Sequence, residues 1–117
     1  MAQDARLQLL PGTLEMLVLQ TLVFGRRHGH GIATTIQRTS DDLLLVDHGS
    51  LYPALQRLER AGLIASEWGT SDKNRRARFY RLTRAGRKKL AHDTGKWEKA
   101  MRAVQGVLQA RPEEQET

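Results

Sequence analysis

The stretch Asp47-His48-Gly49-Ser50-Leu51-Tyr52-Pro53-Ala54-Leu55-Gln56-Arg57-Leu58-Glu59-Arg60-Ala61-Gly62-Leu63-Ile64 constrains this chain more than any other. Leu51, Leu55, Leu58 and Ala61 recur at helical spacing with Ala54 beside them, which predicts a short amphipathic helix with one apolar stripe. Gly62 stops it, and strand-like residues follow at once. Tyr52, Gln56, Arg57 and Arg60 fall off the stripe and are free to face a partner. An ordinary surface helix would share this pattern, so the residues that follow decide between the two readings.

Those residues alternate. Ile64, Ser66 and Trp68 interleave with Ala65 and Glu67, and beyond a Gly/Ser/Asp/Asn stretch Ala77, Phe79 and Arg81 interleave with Arg78, Tyr80 and Leu82. Period-two patterning on both sides of turn residues predicts a β-hairpin. Its tip carries Lys73, Arg75 and Arg76, with Arg78 just beyond, whereas Trp68 is expected to pack within the strands. Clustered charge of one sign repels itself unless an anion neutralises it. Helix, tight glycine, strand, basic wing and strand is the order of a winged helix-turn-helix module. The composition agrees, because a formal charge of +6 over 117 residues makes polyanions the expected partners.

Upstream, Gly12 or Thr13 is placed to cap a first helix of about three turns, with Leu14, Leu17, Val18, Thr21 and Leu22 on its stripe and Phe24-Gly25 at its end. Residues 26–31 read as a short connector, and Ile32, Ala33 and Ile36 as the stripe of a second helix that Thr39-Ser40-Asp41-Asp42 breaks. Leu43 to Val46 is either a buried connector or a first strand, which periodicity does not separate. The third helix has two registers. Asp47 as N-cap puts Ser50 at the third helical position, and Ser50 as N-cap puts Pro53 in the first turn, where a missing N–H costs little. Thr83 caps the last helix, along which Leu90, Thr94, Trp97, Met101, Val104 and Leu108 form a heptad seam. A seam longer than this small core requires is expected to bury itself against a second copy of the chain.

Other chemistries find little support. The chain has no cysteine, hence no disulfide framework or thiolate metal site. His28, His30 and His48 have no third ligand placed by a motif, so no metal or cofactor is expected. No nucleophile–histidine–carboxylate order and no phosphate-cradling glycine loop point to an enzyme. The polar start and the absence of a long apolar run predict a cytoplasmic protein without a membrane partner.

Four strings together resemble the PadR family of transcriptional regulators, in its short form with a single C-terminal dimerisation helix. They are Gly12-Thr13-Leu14, His28-Gly29-His30-Gly31-Ile32, Gly49-Ser50-Leu51-Tyr52-Pro53-Ala54-Leu55, and Arg75 through Thr83, within a resemblance covering residues 8–108. It implies a mainly α (α+β) fold: a winged helix-turn-helix domain over 8–82 with a two-stranded wing, a dimerisation helix over 83–110, and a disordered acidic tail over 111–117. It also implies a homodimeric repressor on a palindromic operator in double-stranded DNA, released in some members by a small hydrophobic molecule.

The expected DNA-binding residues are His30, His48, Gly49, Ser50, Tyr52, Pro53, Gln56 and Arg57 on the helix-turn-helix, and Lys73, Asn74, Arg75, Arg76 and Arg78 on the wing. Gly49 and Ser50 would offer helix-start N–H groups to a phosphate; Gln56 would pair with adenine and Arg57 with guanine. His30 stands where the family usually carries an aromatic residue; its imidazole can still donate to a phosphate, and a stacking or packing role is left open. Leu90, Trp97, Met101, Val104 and Leu108 are the expected dimer interface, with Trp97 and Met101 also flanking a flat effector pocket. The alternative is a winged-helix module that binds protein or RNA without operator specificity.

Overall fold

The computed structural model describes residues 12–112. The amino-terminal arm and residues 113–117 of the acidic tail lie outside the described residues. The elements run α1 (Thr13–Thr21), β1 (Arg27–His28), α2 (Gly29–Thr39), α3 (His48–Arg60), β2 (Ile64–Thr70), β3 (Arg76–Leu82) and α4 (Arg84–Leu108). This is the mainly α, winged-helix arrangement the sequence predicts.

The core forms where the stripes of α1, α2 and α3 meet one face of the sheet. Val18, Leu19, Leu22, Ile32, Ile36, Leu51, Leu55 and Leu58 pack with Ile64, Tyr80 and Leu82. Ala61, expected on the α3 stripe, is exposed instead, because the helix ends at Arg60 and Ala61 is already its C-cap. Gly62 then adopts φ 77°, a left-handed conformation open to glycine, and the Leu63 N–H returns to the Leu58 carbonyl at 3.0 Å.

Two expectations upstream are corrected. The sheet has three antiparallel strands in the order β1-β3-β2, because Arg27 and His28 of the expected connector pair with Tyr80 and Phe79. Leu43 to Val46 is a connector outside this sheet, with Leu44 forming a single β-bridge and Leu44 and Val46 packed on the core. Helix α2 also starts three residues before Ile32, at Gly29, since the His28 imidazole Nδ1 accepts the Gly31 N–H at 3.0 Å and acts as the N-cap.

Helix α4 is fastened at its start. The Thr83 hydroxyl caps it by accepting the Gly86 N–H at 3.0 Å, and the same hydroxyl donates to the Gly62 carbonyl at 2.7 Å. The Thr83 N–H donates to the Leu63 carbonyl at 3.2 Å. Gly86 permits this approach, because a Cβ there would stand 2.0 Å from the Leu63 oxygen. Leu90, expected in an intermolecular seam, is only 7% exposed and belongs to the chain's own core. Beyond it the 25-residue helix, about 37 Å long, outruns the domain.

Candidate nucleic-acid interface

Asp47 settles the register of α3. Its carboxylate accepts the Ser50 N–H at 2.8 Å and the Ser50 hydroxyl at 3.3 Å, so Ser50 is the third helical residue. This corrects one expected role. The Ser50 N–H is not free for a phosphate, since a carboxylate already occupies that helix start. Pro53 consequently lies one turn inside α3 and leaves the Gly49 carbonyl without its helical donor.

The starts of α2 and α3 meet through their rings. The His30 and His48 ring centroids are 6.4 Å apart, and His48 stands edge-on to Tyr52 at 5.6 Å. Tyr52 is 42% exposed and lies over Gly29, where an added Cβ would come within 2.9 Å of its hydroxyl oxygen. Tyr52 thus braces α3 against the start of α2 while keeping a solvent-facing side. His30, Gly49, Pro53 and Gln56 are exposed beside it. Arg57 is also exposed, but its guanidinium pairs with Glu15 of α1.

The wing tip carries a cluster of exposed cations. In the loop 71–75 the Asn74 N–H donates to the Ser71 carbonyl at 2.9 Å and the Ser71 N–H to the Arg75 carbonyl at 2.8 Å. Asn74 has φ 58°, so this residue serves the turn whatever its side chain touches. Lys73, Asn74, Arg75 and Arg76 are all exposed. Among the described residues the ion pairs are Arg26–Glu67, Arg57–Glu15, Arg78–Glu59 and Lys89–Asp93, which leaves the three tip cations without a carboxylate.

Arg78 is different from its neighbours on the wing. Its guanidinium donates to Glu59 at 3.2 Å and to the Ser66 hydroxyl at 2.8 Å, tying the wing to the end of α3. Trp68, expected to pack, is 58% exposed, with the Arg76 guanidinium 4.5 Å from its ring centroid. Neither arrangement was visible in the sequence. A carboxylate–arginine pair separated by 19 residues leaves no local signal, and alternation alone does not say where the core beneath a strand ends.

On α4, Trp97, Met101, Val104, Val107 and Leu108 are between 37% and 77% exposed. Trp97 borders a groove of about 360 Å³ with Gly12, Met16, Asp93 and Lys96, a lining that does not include Met101. Among the described residues no helix is long and apolar enough to cross a membrane.

Comparison with known proteins matches residues 18–92 to the family model described as "Transcriptional regulator PadR-like family". The "Transcriptional regulator Rv3488" of Mycobacterium tuberculosis is 46% identical over 61 residues, which span 52% of this chain and 56% of that protein. The solved structure of a transcriptional regulator from Clostridium thermocellum superposes with a TM-score of 0.73 at 30% identity, covering 80% of this chain and 91% of that one. A PadR family transcriptional regulator from Eggerthella lenta gives 0.72 at 30% identity, with 86% and 85% covered.

Proposed function

The chain belongs to the PadR-like family of transcriptional regulators, and on that premise we propose that it is a homodimeric repressor that reads a palindromic operator. One observation carries the reading. Helix α3 keeps Tyr52, Pro53 and Gln56 exposed, and the wing, tied to the end of the same helix through Arg78 and Glu59, ends in a tip whose Lys73, Arg75 and Arg76 have no carboxylate partner among the described residues.

Phosphates would take the wing cations and set the position of the protein on the duplex, while base edges would be read from α3. Gln56 is assigned to adenine. Arg57 reaches guanine only by leaving Glu15, whose half-buried carboxylate would then have to be solvated in its place. His30 and His48 are assigned to the backbone near the α2 and α3 starts, with Ser50 contributing through its hydroxyl. Arg78 sits beside the backbone as a tether of the wing.

A second copy is the natural cover for the open row on α4, since monomers rarely leave a contiguous apolar patch of that kind in water. Pairing Trp97 across a two-fold axis would bring two indoles beside their grooves, a flat apolar space suited to a planar hydrophobic effector, with Met101 at its edge. An effector seated there would act by changing the angle between the two heads.

The test is a mobility-shift titration of an inverted-repeat duplex from upstream of the coding region, against a scrambled duplex and a structured RNA. The expected result is preference for the repeat, with a log-affinity versus log-salt slope of about 6 or more in magnitude. Equal affinity for all three nucleic acids with a shallow slope would overturn the operator reading. Emission of Trp97 titrated with planar aromatic compounds tests the effector, and unchanged emission with undiminished DNA binding counts against it.

A further inference from the structure

The wing holds an arrangement that the DNA-binding reading does not itself require. Ile64, Ser66, Trp68 and Thr70 share one face of β2, and their partners Leu82, Tyr80, Arg78 and Arg76 share the same face of β3. Ile64, Tyr80 and Leu82 are buried under the helices. Ser66 marks the edge of that cover, with its hydroxyl on Glu59 of α3. Trp68 is the next residue along that face and is 58% exposed.

Two guanidiniums lie against the exposed indole, Arg76 at 4.5 Å and Arg78 at 5.9 Å from the ring centroid. The two differ in freedom. Arg78 is held by Glu59 and Ser66, whereas the Arg76 guanidinium lies over the ring and, among the described residues, has no carboxylate partner. A continuous ladder therefore runs from the recognition helix to the wing tip, Glu59 to Arg78 to Trp68 to Arg76.

We propose that Trp68 is a positioning residue for DNA binding: its indole face fixes the Arg76 guanidinium at a set place relative to α3, ready for a phosphate of the duplex that α3 reads. A stacked guanidinium keeps its N–H edge open to an acceptor and has less rotamer freedom to lose when a phosphate arrives. The inference rests on the DNA-binding reading and adds to it a residue that carries no charge.

The experiment is a double-mutant cycle on the full chain, using Trp68→Ala, Arg76→Ala and both together. Affinity is measured for a labelled mixed-sequence duplex at low ionic strength and again across a salt series. Trp68→Ala is expected to weaken binding about 2- to 5-fold per engaged wing, the range of an exposed cation–π contact. Its salt slope should match that of the wild type, because the phosphate contact survives in a less favourable geometry.

Arg76→Ala should lower the slope by about 1 per wing. The double variant should then bind as Arg76→Ala does, since Trp68 acts through Arg76. Trp68→Tyr, which keeps an aromatic face, should restore most of the affinity and guards against a folding defect in Trp68→Ala. Additive losses in the double variant, or wild-type binding by Trp68→Ala, would overturn the proposal while leaving DNA binding intact. A wild-type protein that ignores the duplex would remove the DNA reading and this inference together.

Discussion

Helix α3 buries Leu51, Ala54, Leu55 and Leu58 to 4% exposure or less, whereas α4, with a comparable stripe, buries Gly86 and Leu90 and leaves Trp97 through Leu108 open. Both helices are amphipathic and both are capped by a side chain, Asp47 for one and Thr83 for the other. They differ in what lies opposite the stripe. Helix α3 faces α1, α2 and the sheet; α4 faces α1 for its first turns and then extends beyond the domain. An apolar row therefore identifies a surface that must be covered, and only the surrounding fold tells whether the chain covers it itself.

The sharpest way to break that contrast is to truncate both stripes. Leu55→Ala removes a side chain that is 1% exposed and should destabilise the fold by about 2–5 kcal/mol, read as a lowered thermal midpoint. Met101→Ala with Val104→Ala should instead weaken self-association by roughly 2 kcal/mol, about 30-fold, while the melting of dilute monomer hardly moves. Sedimentation equilibrium measures the first quantity. A lower melting point with unchanged association would mean that the row is covered within one chain.

Caps give a smaller effect. Asp47→Ala deletes the bonds to Ser50 and should cost about 1 kcal/mol, with a frayed α3 start detectable by faster amide exchange at His48 to Ser50. A cost confined to stability, with unchanged DNA affinity, would separate the cap from the reading surface.

The smallest effect concerns the sheet beneath α3. Burial raises the Tyr80 phenol above its ordinary value of 10.0, opposed by the positive charge of Arg78. The folded state thus holds the proton more tightly than the unfolded chain. The associated stability is fully present below about pH 10 and is lost as pH rises through the folded value. Tyr80→Phe should flatten the alkaline limb of the stability curve, and an unaltered limb would assign the loss to other groups.

Much of this architecture is legible in the residues alone. The α3 stripe, the basic hairpin and Thr83 each carry a local signal, and the structure bears out the Leu51, Leu55 and Leu58 stripe and the Thr83 cap. Strand β1 is not legible, because two residues are too short to show alternation and their pairing with Phe79 and Tyr80 is long-range. The α2 start is masked by Gly29 and Gly31, which read as loop until His28 is seen to cap them. Leu90 obeys the heptad spacing equally well against α1 or against another copy. Trp68 follows its strand's alternation faithfully, but the burial on that face stops at Ile64, Tyr80 and Leu82.

Thr83 engages the carbonyls of both Gly62 and Leu63, at the junction where α3 ends and β2 begins. No flexible linker intervenes between the head and its long tail. In a paired assembly the separation of the two heads would then be a property of rigid geometry, a ruler fixed by how the tails cross. Operators whose half-sites miss that spacing would be rejected by measurement, whatever bases they display.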